Sequence, residues 1–373
     1  MEIYDVIVVG GGIGGSVAAR FSASHGFSTL LVERFKTPRN KPCSGIQFPY
    51  LEKLVGEKIP REALCKNELH NVEMITPNGK VTRGRMKMLN FWRSNFDSWL
   101  NSRAVHAGAH FLDDTKLIDL DEGEERITVT LLGKEGERKI STRFLIGGDG
   151  LNSTIRKRLQ PQDFKRKAWG ATINYYFDGE ANLDPNTLYM FYNREFCPLM
   201  FAWVYRKDDW WVIGTGADRD LLQYARRFLS YVQEKYAIRG KMVRKEGFSS
   251  PMDTSIYLGR GNILMVGDAA GLVDLYRGLG MDNAALSGRL AVKAIVKSEQ
   301  TNHPPIELYE QCMKGIVHKI DKNKSRQVTR YNTNDSLQKS LSPANLIKDG
   351  ILMLTVAQID KLLPAERVIT LPL

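Results

Sequence analysis

A glycine-rich turn between a β-branched run and a small-residue stretch, an aromatic-rich alternating middle and a periodic, polar end predict an α/β chain (α+β overall). The expected parts are a Rossmann-like dinucleotide-binding domain, an antiparallel-sheet substrate domain and a helical C-terminal region. Asp5–Val9 has the pattern of a buried parallel strand, and it runs straight into Gly10-Gly11-Gly12-Ile13-Gly14-Gly15. Ser16–Ala23 then reads as a helix, and Ser28–Val32 as a second strand ending at Glu33. Further strands are expected at Val72–Thr76, Arg126–Leu132 and Phe144–Gly147. Between the first two of these, Phe91–Gly108 carries Phe96, Leu100 and Ala104 at helical spacing. From about Lys167 the pattern changes to alternating strands: Thr172–Phe177, Leu188–Tyr192, Met200–Tyr205 and Trp210–Gly214. Leu221–Tyr236 reads as an amphipathic helix, Ile263–Val266 as a buried strand, Met281–Lys297 as a helix, and the chain beyond His303 as mostly helical.

The 373 residues, 43% hydrophobic and 25% charged with 32 scattered glycines, exclude a disordered tail, a collagen-like rod and a disulfide-stapled mini-protein. Cys43, Cys65, Cys197 and Cys312 lie too far apart for a zinc or iron–sulfur motif and fit a reducing, cytoplasmic compartment. A net charge of +11 favours an anionic partner. There is no recognisable nucleic-acid module, which leaves phospholipid headgroups, nucleotide cofactors and anionic substrates. The first residues carry no basic segment of a signal peptide, and the apolar stretch Ile351–Ala357 is far short of the ~20 residues that cross a bilayer. The expectation is a cytoplasmic protein, with contact at a membrane periphery as an option. Two basic clusters bear on that option, one from Arg156 to Lys167 and one from Lys314 to Arg330. The segment Leu346, Ile347, Gly350, Ile351, Met353 and Leu354 reads either as an interfacial amphipathic face or as packing against the body.

Gly10, Gly12 and Gly15 satisfy G-x-G-x-x-G: the first for the tight turn, the second for close approach of backbone to a pyrophosphate, the third for helix–strand packing. The pyrophosphate then meets a helix N-terminus, and Glu33, about 20 residues on, is placed to accept ribose hydroxyls. The strand Phe144–Ile146 leads into Gly147-Gly148-Asp149-Gly150, which Ser153 and Arg156 complete as D-G-x-x-S-x-x-R. Gly267-Asp268-Ala269-Ala270-Gly271 follows much later.

In this order, and with Arg93-x-x-Phe96-Asp97-x-x-Leu100 between them, these motifs resemble those of the FAD-dependent hydroxylase and geranylgeranyl reductase superfamily, over roughly residues 1–300. The resemblance implies bound FAD, with Asp268 on a ribityl hydroxyl. Arg93 would lie on phosphate or ribityl oxygen, or else form a surface salt bridge. Two patterns are similar to the geranylgeranyl reductases in particular. Pro198 to Tyr205 followed by Gly214-Thr215-Gly216 looks like their substrate motif, with Phe201, Trp203 and Tyr205 on one strand face and a flexible glycine segment beyond. Such a wall suits an extended hydrocarbon; it is equally an ordinary sheet core. Arg206 stands where the family has proline, leaving the pocket contour open. Lys41-Pro42-Cys43-Ser44-Gly45 looks like their cysteine loop, in which Cys43 is either a catalytic thiol near flavin and substrate or a small core residue. Gly278 and Gly280 either bring N–H groups to the flavin edge or simply cap the next helix, and Tyr276 and Arg277 are unusual substitutions that either alter substrate access or anchor an anionic headgroup.

The implied cofactor-binding set is Gly10, Gly12, Ile13, Gly14, Gly15, Glu33, Arg34, Cys43, Ser44, Gly45, Arg93, Asp149, Gly267, Asp268, Gly278, Gly280 and Met281. The implied substrate set is Phe201, Trp203, Tyr205, Gly214 and Gly216, and no metal is expected. The FAD domain is expected to be discontinuous (1–75, 90–165 and 250–300), the substrate domain to comprise 76–89 and 166–249, and the helical region 301–373. The activity implied is reduction of isoprenoid double bonds by hydride from reduced FAD, with NAD(P)H or ferredoxin as electron donor and an isoprenoid lipid as substrate. The alternatives are an aromatic-ring monooxygenase or a non-catalytic flavin-binding, membrane-associated protein.

Overall fold

The computed structural model describes residues 2–164, 169–251 and 255–368. The expected basic residues Lys165, Arg166 and Lys167 lie outside these. The chain runs β1 (Glu2–Val9), α1 (Ile13–Ser24), β2 (Thr29–Val32), β3 (Ile46–Gln47), α2 (Leu51–Val55), β4 (Leu69–Ile75) and β5 (Val81–Asn90). It continues through α3 (Arg93–His106), β6 (His110–Leu112), β7 (Lys116–Glu122), β8 (Ile127–Gly133), β9 (Gly136–Gly147), α4 (Thr154–Leu159), β10 (Trp169–Glu180) and β11 (Thr187–Phe191). Then come β12 (Ala202–Lys207), β13 (Trp210–Ala217), α5 (Leu221–Tyr236), β14 (Arg239–Pro251), β15 (Gly259–Arg260) and β16 (Ile263–Met265). Four helices end the chain: α6 (Met281–Thr301), α7 (Pro305–Arg330), α8 (Asn334–Ser340) and α9 (Pro343–Leu362).

Two 8-stranded sheets carry the molecule. In the first, the order β15-β16-β9-β1-β2-β6 is parallel from β16 to β6, with β7 and β8 attached to β9. Its central strands are buried on both faces, as their continuous β-branched sequences require. The register pairs Val9 with both Val32 and Gly147, and Gly147 with Met265. Gly10, Glu33, Gly148 and Gly267 therefore leave the sheet side by side at one edge. Gly10 has φ +109°, and a Cβ there would stand 2.2 Å from the Gly148 carbonyl oxygen; a Cβ on Gly15 would stand 1.9 Å from the Gly10 oxygen. These close approaches seat α1 against the sheet.

The second sheet has the order β14-β10-β13-β12-β11-β4-β5-β3 and is antiparallel except at β11–β4. One face packs on α5 through Ala225, Phe228 and Val232, and the other holds Tyr176, Tyr205 and Val212. The domain boundary drawn at residue 75 falls inside the β4–β5 hairpin, and both strands pair in this second sheet. Strands β5, β7 and β14 escape sequence reading because their residues are largely exposed and polar. Gly214-Thr215-Gly216, expected to be flexible, is instead the buried end of β13, hydrogen-bonded to β10 and, at Gly214, also to β12.

Candidate functional site

The strand ends of the first sheet open on a cleft of about 280 Å³ lined by Gly10, Gly12, Glu33, Arg34, Asp149 and Asp268, with Arg39 and Lys41 on its walls. Gly12 caps α1 without any side-chain hydrogen bond, so the first N–H groups of the helix lack protein partners along its axis. A Cβ on Gly12 would meet only Arg39 Nη2, at 3.4 Å. Glu33 is buried and doubly engaged: Oε2 accepts from the Gly11 N–H (2.9 Å) and Oε1 from the Phe35 N–H (3.1 Å). Asp149 accepts through Oδ2 from the Thr154 N–H at 2.7 Å, so it caps α4, while its buried Oδ1 has no hydrogen-bond partner among the described residues. Burial pushes its carboxyl up. Asp268 faces Lys41 Nζ at 3.0 Å; burial alone would raise its carboxyl, but Lys41 holds it below the ordinary value.

Behind these residues runs a chain of alternating charges. Arg39 lies 3.1 Å from Glu33 and 3.3 Å from Asp97, and Asp97 takes Arg93 through two bonds of 2.8 Å. Burial disfavours the Arg93 cation, but Asp97 and Cys43 more than restore it. Arg93 is 6% exposed, so the surface salt bridge considered for it is in fact a buried pair. Arg39 has no motif in the sequence. Its role depends on Glu33 and Asp97 meeting in space.

Ile13, Gly14, Gly15 and Gly267 sit in the packing behind the cleft; Gly14 and Gly267 press against Ala284 of α6. Gly280 precedes α6, and an added Cβ there would stand 3.7 Å from Asp268 Oδ1, so the N-terminus of α6, whose Asn283 N–H donates to Asp282 Oδ1, opens beside Asp268. Met281 Sδ is 4.0 Å from Cys43 Sγ. The Cys43-Ser44-Gly45 loop bridges the two sheets. The Gly45 carbonyl accepts from Phe91 N–H (2.9 Å), and the Ser44 carbonyl accepts from both Tyr205 Oη (3.0 Å) and Lys207 Nζ (2.6 Å). Lys207 is 1% exposed, lies over the Trp92 ring at 4.6 Å, and is pushed down by burial. Alternation along β12 puts it on the face of Trp203 and Tyr205, a signal the sequence carries.

Trp203 and Tyr205 lie on the face of β12 turned to the cysteine loop, while Ala202 and Val204 face α5. Trp203 Nε1 donates to Asn174 Oδ1 at 2.8 Å, and a Cβ on Gly214 would stand 2.2 Å from that nitrogen, so the glycine leaves room for the indole. Phe201 precedes β12 and packs with Tyr192 and Met200, which touches Gly278. Gly216 is covered by Thr172. Gly278 belongs to a closed loop in which Asp274 and Leu279 exchange backbone hydrogen bonds. Arg277, expected as a headgroup anchor, has a side chain with no exposure and is locked between Asp274 (2.6 Å) and Asp282 (3.1 Å). That pair neutralises it through Nε and Nη1. In the basic clusters Arg156 is likewise buried against Asp163.

The sequence profile of a family described as FAD binding domain matches residues 3–297. The chain is 29% identical to geranylgeranyl diphosphate reductase of Rhodobacter capsulatus, over 81% of this chain and 77% of that protein. It is 26% identical to digeranylgeranylglycerophospholipid reductase of Methanocaldococcus jannaschii, over 94% and 93%. A crystal structure of a geranylgeranyl bacteriochlorophyll reductase-like protein from Thermoplasma acidophilum superposes with a TM-score of 0.81 at 22% identity, covering 92% of each chain. The residues of the cleft fit the cofactor: an uncapped helix N-terminus over Gly12, a carboxylate at the end of β2, and an unpartnered Asp149 oxygen. With its glycine turn, its cleft and nearly four-fifths of its length matching, the chain belongs to the FAD binding domain family and is an FAD-dependent oxidoreductase.

Proposed function

We propose that the protein saturates carbon–carbon double bonds of an isoprenoid chain of the geranylgeranyl type. The observation that carries this reading is the aromatic face of β12, Trp203 and Tyr205 with Phe201 before it, turned toward the cysteine loop and the Gly278 loop. The names of the relatives point the same way. Bound FAD, once reduced, supplies a hydride. The protein's own residues hold the cofactor and keep water from the alkene. Gly10, Gly12 and the first turn of α1 would receive the pyrophosphate, Glu33 the ribose, and Asp268 with the N-terminus of α6 the flavin end.

An isolated alkene is a poor electrophile, so alignment and desolvation by the partly accessible Phe201 and Trp203, backed by the fully buried Tyr205, carry much of the catalysis. Cys43 stands beside Arg93, Lys207 and Met281 and is the candidate to hold the proton at its Sγ. Residues 69–91 and 169–251 with the cysteine loop form the substrate half, and the first sheet with α1, α3 and α6 the cofactor half. NAD(P)H, bound transiently, or a ferredoxin delivers the electrons. Among the described residues no helix is long and apolar enough to cross a membrane. Leu346 packs inward, but Ile347, Ile351 and Leu354 of α9 are 62–69% exposed beside Lys348, which supports peripheral contact with lipid.

The test is incubation of the FAD-loaded protein with dithionite and a geranylgeranyl lipid. Product masses are expected to rise in steps of two hydrogens, and unchanged lipid with bound FAD would overturn the reading.

A further inference from the structure

We propose that Arg326 and Arg330 of α7, with Arg194 beside them, form an anion site for the phosphate of a phosphorylated prenyl substrate. The inference rests on the prenyl reading of the aromatic face and adds its headgroup. Elsewhere the buried arginines are neutralised: Arg93 by Asp97, Arg156 by Asp163, Arg277 by Asp274 and Asp282. Arg330 is different. Its guanidinium lies 5.2 Å from the ring centres of both Tyr192 and Tyr276 and 5.7 Å from that of Tyr331. Nη1 donates to Tyr276 Oη at 3.1 Å, and the buried Nε has no hydrogen-bond partner among the described residues. Arg326, four residues earlier, lies 4.6 Å from the centre of the same Tyr276 ring. Among the described residues neither arginine has a carboxylate within ion-pair distance. Arg194 spends its Nη1 on the carbonyls of Pro198 and Tyr331 and has no ion pair either.

Like charges spaced four apart on a helix repel, and here no acid relieves them. Aromatic faces and a tyrosine hydroxyl take that place, which holds the guanidinium groups without consuming their charge. A phosphate oxyanion matches such groups through paired N–H···O bonds. The position fits a headgroup. Tyr192 contacts Phe201 at a ring separation of 5.3 Å, and Phe201 meets Trp203 at 6.3 Å. Gln327, between the two arginines, ties α7 to the Leu199 carbonyl at 3.3 Å. Arg326 is exposed, so the anion approaches from solvent while the hydrocarbon extends along the aromatic face.

The test compares FAD-loaded wild type with Arg326→Gln and Arg330→Gln on geranylgeranyl diphosphate, a geranylgeranyl glycerophospholipid and the neutral geranylgeraniol. Arg326→Gln is expected to raise KM for a phosphate-bearing substrate about tenfold, equivalent to about 1.4 kcal/mol, while leaving KM for the alcohol within about twofold. An effect on the diphosphate alone assigns the site to free prenyl diphosphates; an effect on the glycerophospholipid alone assigns it to a lipid headgroup. Equal effects on alcohol and phosphate substrates, or none, would overturn the proposal. Calorimetry with inorganic pyrophosphate separates anion binding from prenyl reduction. If wild type reduces none of the three substrates, the prenyl reading fails, whereas pyrophosphate binding that Arg326→Gln abolishes still establishes the anion site. Because Arg326 is exposed, its variant tests the site even where Arg330→Gln fails to fold.

Discussion

The two sheets solve recognition in opposite ways. At the edge of the first, charged groups are paired at short range: Glu33, Arg39, Asp97 and Arg93 alternate in sign over a few ångströms, and Lys41 meets Asp268 across the cleft. On the facing side of the second, Trp203 keeps part of its ring accessible while Tyr205 and Tyr176 are fully buried behind it, each of the three with one polar tether. A dinucleotide needs fixed donors and carboxylates at short range, so its site is built from a few residues next to one turn. A hydrocarbon needs area, which a sheet assembles from strands far apart in sequence.

That contrast predicts separable losses. The largest is expected for Gly12→Val, whose side chain projects into the cleft with little protein in its way. FAD affinity should fall about a hundredfold or more, equivalent to about 2.7 kcal/mol, while far-ultraviolet circular dichroism stays native. Gly15→Val, by contrast, meets the Gly10 carbonyl and should unfold the domain itself. Asp97→Asn comes next. It leaves Arg93 and Arg39 buried without their shared carboxylate, and urea unfolding should show a loss of about 3–5 kcal/mol.

Trp203→Ala sharpens the comparison from the other side. KM for a long prenyl substrate should rise about tenfold through lost apolar contact, with FAD content unchanged in the visible spectrum. A variant that lost FAD instead would show that the halves do not divide the work. A pH-dependent effect concerns Lys319 of α7, whose ammonium is pushed down to about 7 by burial and by Arg277. The unfolded chain keeps this proton up to the ordinary lysine range, so between about pH 7 and 10 the unfolded state binds more protons and the group's penalty to stability fades as pH rises. Lys319→Met should therefore be more stable than wild type near pH 7, with the difference shrinking toward pH 10 in paired urea titrations.

The same contrast explains what the sequence discloses. Gly10, Glu33, Asp149 and Asp268 are legible because each sits at the end of a hydrophobic run, and parallel pairing of those runs brings the ends together without further information. Trp203 and Tyr205 are legible by alternation, although Phe201 lies before the strand begins. Arg39 is silent because its partners come from β2 and α3. Arg277 misleads as a lone cation beside a glycine loop, yet acids three residues before it and five after it are the signal of its burial. Arg330 is illegible for a related reason: it stands out only once the fold shows that its neighbours are tyrosines rather than acids.

The central claim, that the aromatic face presents a hydrocarbon to the cofactor, is tested most directly by anaerobic reoxidation of the reduced, FAD-loaded protein. A panel of prenyl lipids and aromatic acids is mixed with it in a stopped-flow spectrometer, and the return of oxidised-flavin absorbance is followed. Rapid reoxidation by the prenyl lipids alone, without oxygen, is the predicted result. Reoxidation that waits for oxygen and is accelerated by an aromatic acid would contradict the account and identify a hydroxylase.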